Sequence, residues 1–297
     1  MGGLSSERDI SLKSGRAVLN ALKDAGWQAL SLEVLEETQE EIQRLVREAA
    51  VDVVFVAMHG GFGEDGRLQK ILEDMRVPFT GPAREASRLA MDKVASRRIF
   101  EGAGLRVPRT RVIRRGYRMM SLLHGLRYPV VIKPAAQGSS IGVSFVSHWK
   151  ELSCAVLKAL RYDDTVLVEE FIEGREITVS VLDGTALPIV AIIPKKDFFD
   201  FQAKYEKGMT EYVVPAPLEA QVTERARQDA VTAYHALGCR HLARADMILN
   251  EEGRAVILEV NTVPGLTETS LLPKAARAAG LEFASLCTKI VELALNS

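Results

Sequence analysis

The stretch Arg244-Ala-Asp246-Met-Ile-Leu-Asn-Glu-Glu-Gly-Arg-Ala-Val-Ile-Leu-Glu259-Val-Asn261-Thr-Val-Pro-Gly265 restricts the fold more than any other part of the chain. Its two arms are apolar, and Glu252-Gly253 between them is a turn signal, so it reads as an antiparallel hairpin. With a two-residue loop, residues whose numbers sum to 505 face each other, which pairs Asp246 with Glu259 and Arg244 with Asn261. Side chains alternate along a strand, so these four groups then share one face. Two carboxylates and a carboxamide oxygen are hard ligands of the kind magnesium takes, a cation that keeps several waters and also binds substrate phosphates. The same groups would equally form a solvated sheet face whose charges pair. A register slip of one residue would separate them.

Composition narrows the class of protein. A chain of 297 residues can hold two or three modest domains, and 47% hydrophobic with 26% charged residues is ordinary for a soluble protein. Net charge is −1 with basic and acidic residues interleaved, which argues against a nucleic-acid surface or a polybasic membrane patch. No apolar run approaches the ~20 residues of a membrane span. Met-Gly-Gly-Leu-Ser-Ser-Glu carries no secretory signal. Cys154, Cys239 and Cys287 show neither disulfide nor metal-ligand spacing, so a cytoplasmic location is expected.

Along the chain, residues 8–25 have helical periodicity, with Ser6 and Asp9 as a capping box. A strand at 28–34, a helix at 37–49 and a strand at 51–58 follow, the last running into His59-Gly-Gly-Phe-Gly-Glu-Asp-Gly66. Alternating strands and helices imply a parallel sheet whose ligands gather at the strands' carboxyl ends. The helix at 8–25 opens such a unit without a strand before it. The expectation is that the assigned start lies inside a longer coding region. A helix at 84–103, a strand at 107–113, a strand at 128–134, a helix at 149–160 and a strand at 165–172 form a second unit. The remainder from about 174 is strand-rich, with a Lys- and aromatic-rich excursion at 195–212 and helices at 219–237 and from 272 onward.

Two further segments could carry chemistry. Lys133 closes an apolar strand, and Gly138-Ser-Ser-Ile-Gly142 supplies a loop whose backbone N–H groups could approach phosphate oxygens. It has neither P-loop nor dinucleotide spacing, and a plain turn with a solvent lysine explains it as well. Glu169-Glu-Phe-Ile-Glu-Gly-Arg-Glu176 ends a buried strand in carboxylates that could accept ribose hydroxyls, or it is simply an edge strand entering a charged turn.

Taken together, Lys93, Lys133 with its Gly-Ser-Ser loop, the 169–176 segment and Asp246…Glu259-x-Asn261 occur in the order and spacing of ATP-grasp ligases. Within that superfamily the chain resembles the D-alanine–D-alanine ligases. Gly2-Gly-Leu-Ser-Ser-Glu7, His59-Gly-Gly-Phe-Gly-Glu64, Phe198-Phe-Asp-Phe-Gln-Ala-Lys204-Tyr205 and Glu259-Val-Asn-Thr-Val-Pro-Gly265-Leu-Thr-Glu-Thr-Ser270 extend the likeness over essentially the whole chain. The resemblance implies an α/β protein of α+β units in series. This is an ATP-grasp fold with an N-terminal parallel α/β domain lacking its first strand, divided at 1–82, 83–173 and 174–297.

It also implies roles. Lys93 and Lys133 would neutralise ATP phosphates under the loop of Gly138, Ser139 and Ser140. Glu169 would take the adenine amino group, the backbone of Glu170, Phe171 and Ile172 the adenine edge, and Glu176 the ribose. Asp246, Glu259 and Asn261 would hold two magnesium ions, with manganese able to substitute. Arg244 and the Gly265 amide would stabilise the acyl oxyanion. Glu7, oriented through Ser139 and Tyr205, would bind the first D-alanine's ammonium with His59 near it, and Lys204, Ser270 and Leu271 the second D-alanine's carboxylate. Segment 195–212 would be a lid. The implied partners are two D-alanines and ATP, with no nucleic acid and no membrane, in a homodimer. Gln137, Glu170 and Gln202 depart from residues common in the family. The alternatives are a ligase joining D-alanine to D-lactate or D-serine, and a non-catalytic nucleotide or D-alanine sensor.

Overall fold

The computed structural model describes residues 1–116, 125–194 and 210–297. The segment opening the chain leads into α1 (Arg8–Asp24), and the expected capping box is not used there. Glu7 occupies the cap position without a side-chain cap bond, and the turn is closed through Ser5, whose carbonyl accepts from the Arg8 N–H at 3.1 Å. The Ser5 hydroxyl accepts the Glu7 N–H at 3.2 Å. The cap thus falls one residue later than Ser6, at Glu7, whose carboxylate makes no cap bond.

After α1 come α2 (Gln39–Ala49), capped by the Thr38 hydroxyl, and α3 (Arg67–Asp74). The expected strands at 28–34 and 51–58 are extended and parallel, but each pairs through a single bridge, Gly2 with Val34 and Val54 with Phe79. An apolar cavity of about 1120 Å³ lies beside them, lined by Val34, Val54 and Val56 and by Val18 and Leu22 of α1.

Residues 84–103, expected as one helix, form α4 (Arg84–Met91) and α5 (Lys93–Gly102). Asp92 divides them, because its carboxylate accepts the Val94 and Ala95 N–H groups at 2.9 and 3.0 Å and holds its own backbone extended. Local side-chain capping thus outcompetes helix continuation and makes Lys93 the first residue of a new helix.

Two antiparallel sheets follow. The first contains β1 (Thr110–Arg114), β2 (Val130–Pro134), β3 (Ser144–Val146) and β4 (Thr165–Glu170) in the order β1-β4-β2-β3, covered by α6 (Trp149–Ala159). Its core packs Ile113, Ile132 and Val166 against Val156 of α6. The second contains β5 (Arg175–Leu182), β6 (Thr185–Ala186), β7 (Val190–Pro194), β8 (Thr210–Val213), β9 (Leu242–Leu249) and β10 (Ala255–Asn261). Their order is β10-β9-β5-β7-β8, with β6 paired to β5. One face of this sheet packs on α7 (Ala220–Ala236) together with residues of α4 and α5. Its other end meets α8 (Leu271–Ala278), α9 (Phe283–Leu295) and α1.

The β9–β10 hairpin differs from its expected form in a way that matters. Its loop is longer than two residues: Ala255 pairs with Leu249, and Gly253 sits in the left-handed region at φ 69°. From Ala255 to Ile257 the partners' numbers sum to 504, a register that would aim Glu259 into the core. A β-bulge at Leu258 adds one residue to β10, and beyond it Asp246 faces Glu259 and Arg244 faces Asn261. The expected juxtaposition is present, but the bulge produces it rather than the turn.

Candidate active site

The two sheets face each other across a cavity of about 500 Å³. Lys133 at the end of β2, Glu169 and Glu170 at the end of β4, and Phe171 and Ile172 just beyond enter it from the first sheet. Glu176, Asp246, Leu258 and Glu259 enter from the second, and Lys93 from the start of α5.

Its charges are paired across short distances. Lys93 Nζ donates to the Gln137 carbonyl at 2.7 Å and lies 3.1 Å from Glu259 Oε2. Lys133 Nζ lies 2.6 Å from Glu169 Oε2, while Arg97, one turn beyond Lys93 on α5, donates to Glu169 Oε1. Glu169 is only 2% exposed, so two cations hold a carboxylate that burial alone would not tolerate. Burial pulls the Lys133 ammonium below the usual lysine range, and the nearby Glu169 carboxylate works against that shift.

On the hairpin, Asp246 receives four side-chain hydrogen bonds. Thr178 of β5, its register neighbour, donates at 2.8 Å; Arg244 donates through Nε and Nη2, each at 2.8 Å; and the Asn261 amide donates at 2.9 Å. Orienting the Asn261 amide nitrogen on Asp246 fixes which way its carbonyl oxygen points. The Glu259 and Asp246 carboxylates with the Asn261 oxygen form an all-oxygen donor set. Among the described residues no three His, Cys, Asp or Glu groups converge, so the hairpin supplies two carboxylates rather than a complete cage. That suits a magnesium ion completed by phosphate and water oxygens.

A second cluster adjoins the cavity. Ser139 and Ser140 both have left-handed backbones, at φ 50° and 58°, which bends the 138–142 loop tightly. Ser140 lines the nucleotide-sized cavity, whereas the Ser139 hydroxyl donates to the Glu7 carboxylate. Gly138 also borders Glu7, and Gly60, whose φ of 72° is a conformation L side chains rarely adopt, lies directly against that carboxylate. Glu7 is thus held, nearly buried, between the two Gly-rich loops.

His59 is buried with both ring nitrogens engaged inside the protein, Nδ1 at 3.0 Å from the Val263 carbonyl and Nε2 at 2.9 Å from Ser14 Oγ. Gly265 follows two residues after Val263, close to Ser270, whose hydroxyl accepts the Thr267 N–H at 3.1 Å. Ser270 is the cap residue of α8 without a side-chain cap bond, so the first N–H groups of that helix, from Leu271, have no side-chain cap. Lys204 and Tyr205 lie outside the described residues, as does most of 195–212. Tyr212, at the end of that segment, has Lys274 Nζ 4.3 Å above its ring. Burial, then the Glu176 carboxylate, raise the pKa of its hydroxyl.

Comparison with known proteins places this arrangement. A family model described as D-ala D-ala ligase C-terminus matches residues 99–292, and one described as D-ala D-ala ligase N-terminus matches residues 29–82. The chain belongs to the D-alanine–D-alanine ligase family. It is 44% identical to the D-alanine–D-alanine ligase of Syntrophotalea carbinolica, over 98% of this chain and 93% of that protein. It is also 44% identical to that of Geobacter sulfurreducens, over 98% and 91%. The crystal structure of D-alanine–D-alanine ligase from Bacillus anthracis complexed with ATP is similar with a TM-score of 0.88 at 32% identity, covering 100% of this chain and 96% of that one. A D-Ala:D-Ser ligase from Enterococcus faecalis is similar with a TM-score of 0.85 at 29% identity, covering 99% and 97%.

Within this ligase family's frame, the structure also brings forward residues that sequence reading passed over. Arg97 was legible as the i+4 neighbour of Lys93 on one helix face. Thr178 was not, because only the β5–β9 register puts it beside Asp246. Ser14 falls on the Glu7 and Ser11 face of α1, yet a small buried serine carries no signal without its partners.

Proposed function

We infer that the chain catalyses ATP-dependent ligation of two D-alanines to D-alanyl-D-alanine, the dipeptide of bacterial cell-wall synthesis. The observation that carries this reading is the pairing of the Asp246–Glu259–Asn261 oxygen set with the buried lysines Lys93 and Lys133 around one cavity, in a chain matched along nearly its full length by this family.

The carboxylate of the first D-alanine attacks the γ-phosphate of ATP, forming a D-alanyl phosphate and releasing ADP. The amine of the second D-alanine attacks that anhydride, the C–N bond forms, and inorganic phosphate leaves with the amine's proton passing to base or solvent. Lys93 and Lys133 move from their carboxylate partners to the phosphates, covered by the backbone of Gly138, Ser139 and Ser140. The backbone at Glu170, Phe171 and Ile172 reads the adenine edge and Glu176 the ribose. Glu169, once Lys133 turns to phosphate, has an oxygen free for the adenine amino group while Arg97 keeps the other. Magnesium, or manganese in its place, would be held by Asp246, Glu259 and Asn261 and would supply charge neutralisation at the phosphates.

Glu7 accepts the ammonium of the first D-alanine, and Arg244 and the Gly265 N–H face the developing oxyanion. Ser270, Leu271 and Lys204 take the second carboxylate, with Tyr205 beside Glu7 and Ser139. An acyl phosphate hydrolyses readily, so segment 195–212 closes to exclude water. A homodimer in the bacterial cytoplasm completes the reading, and no helix among the described residues is long and apolar enough to cross a membrane. The test is ADP release from the purified chain with magnesium and ATP. D-alanine should stimulate it, and the product should have the mass of the D-alanine dipeptide. Stimulation only by another amino or hydroxy acid, or a mixed product with D-serine, would replace the substrate assignment.

A further inference from the structure

We propose that Ser14 and His59 form a directional hydrogen-bond clamp that sets the position of the Gly265 N–H relative to Glu7, and so are positioning residues for the first amino acid. The inference rests on the assignment of Glu7 and Gly265 to the first D-alanine. Its starting observation is independent of that assignment: a closed loop of hydrogen bonds whose proton directions all follow once the His59 ring carries a single proton.

The Val263 carbonyl has no proton, so His59 Nδ1, 3.0 Å away, must be the N–H donor. The Glu64 carboxylate, 3.6 Å from the same nitrogen, favours a proton there as well. Nε2 of the neutral ring is then a bare acceptor, and the group 2.9 Å from it, Ser14 Oγ, must donate. With its proton committed to His59, Ser14 Oγ is left as acceptor for the Leu266 N–H at 3.3 Å. The chain runs Leu266 N–H to Ser14, Ser14 O–H to His59, and His59 Nδ1–H to the Val263 carbonyl. It begins and ends on the same short segment, Val263-Pro-Gly-Leu266.

That segment is gripped on both sides of Gly265. Pro264 fixes its own φ and has no N–H of its own, so anchoring the Val263 carbonyl and the Leu266 N–H leaves the Gly265 N–H little freedom of direction. On the other side, Ser14 lies two turns along α1 from Glu7, on the face that also buries Ser11. The rigid helix carries the ammonium acceptor at its start and the clamp's central hydroxyl further along. The His59 backbone continues the cage around Glu7, since its carbonyl accepts from Ser5 Oγ at 2.7 Å and Gly60, against the Glu7 carboxylate, follows directly. Ser14 is fully buried, so removing its hydroxyl leaves both a ring nitrogen and a backbone N–H without partners. A displacement of about 1 Å at a reacting group costs on the order of 100-fold in rate.

The test has a kinetic and a spectroscopic arm. Ser14→Ala should raise KM for D-alanine at the first site about tenfold and lower kcat about tenfold, with KM for ATP changed less than about twofold. His59→Asn, whose amide can still donate to Val263, should fall between the native chain and Ser14→Ala. In the native chain labelled with ¹⁵N-histidine, long-range ¹H–¹⁵N correlation should show His59 as the Nδ1–H tautomer, which is the minor form of free imidazole. An Nε2–H or doubly protonated ring at neutral pH, or unchanged D-alanine kinetics in Ser14→Ala, overturns the clamp. If Ser14→Ala does not fold, the native-chain spectrum decides alone. Loss of D-alanine-dependent ADP release in the native chain would instead overturn the ligase reading and leave the tautomer result standing.

Discussion

The nucleotide cleft and the seam between α1 and the 262–266 loop solve different problems with different materials. The cleft is built on antiparallel ladders, and its functional groups are ions held in pairs: Lys93 on Glu259, Lys133 and Arg97 on Glu169, Arg244 on Asp246. The seam is built on turns and joined by single hydrogen bonds, Ser14 to His59 and the Leu266 N–H to Ser14 at 3.3 Å. In the proposed reaction a polyanion with its metal would exchange partners with paired charges, each lysine leaving a carboxylate for a phosphate. A small zwitterion offers no such exchange, so its contacts must be placed in advance by geometry. The cleft should therefore fail through chemistry, and the seam through position.

The largest break belongs to the cleft. Glu259→Gln keeps the size of the side chain but removes the carboxylate on the bulged strand. It should lower kcat by more than about 10³-fold, comparable to losing a main electrostatic element of a catalytic site, with the fold intact by circular dichroism. A rate near that of the native chain would refute the metal assignment. Arg97→Met tests the pairing itself. Removing one partner of a buried ion pair costs roughly 3 to 5 kcal/mol, and Lys133 remains to hold Glu169, so about 3 kcal/mol of stability should be lost in urea unfolding. Added ATP should stabilise this variant less than the native chain, because Lys133 can no longer leave its carboxylate freely.

On the seam, Glu7→Gln should lower kcat/KM for D-alanine by roughly 10- to 100-fold, the range of one charge-assisted hydrogen bond, with KM for ATP nearly unchanged. Equal effects on both substrates would erase the distinction between the regions. The smallest effect is a pH dependence at His241. Burial first, and then the Arg240 charge, lower its pKa to about 4, and its Nδ1 already accepts the Gly81 N–H. Between that value and an unfolded value near 6.5, the unfolded chain binds a proton that the folded chain refuses. Stability should therefore fall as pH drops from about 6.5 toward 4; full linkage would give about 3 kcal/mol, and solvent screening of a group only partly enclosed reduces this to roughly 1 to 2 kcal/mol. His241→Asn, which tolerates the local φ of 58°, should flatten that part of the profile in urea midpoints measured at pH 7 and pH 5.

Legibility in the sequence divided along the same line. Strand patterning marked Lys133, the 169–176 segment and the hairpin carboxylates as candidates, and the resemblance to ATP-grasp ligases, rather than the pattern, singled them out as one cleft. On the seam the same resemblance pointed to Glu7, His59 and Gly265, but nothing pointed to Ser14, which meets His59 and Leu266 across 45 and 252 residues of chain. No local pattern encodes such contacts. Two local readings also failed. Periodicity suggested one helix over 84–103, but the Asp92 side chain outweighs it. The Ser6 and Asp9 pattern suggested a capping box, but the cap falls one residue later, at Glu7, and makes no side-chain cap bond. In the hairpin, an assumed two-residue turn reached the observed facing of Asp246 and Glu259 only because a longer loop and a bulge cancel each other.

That cancellation bears on how the hairpin tolerates change. Leu258 acts as a phase corrector, isolating the ligand end of the hairpin from the parity of its loop. An odd change in loop length need not invert the carboxylates if the bulge is gained or lost with it. The tip from Asn250 to Arg254 is then free to drift in length, while the residue that keeps Asp246 and Glu259 in phase is an apolar one.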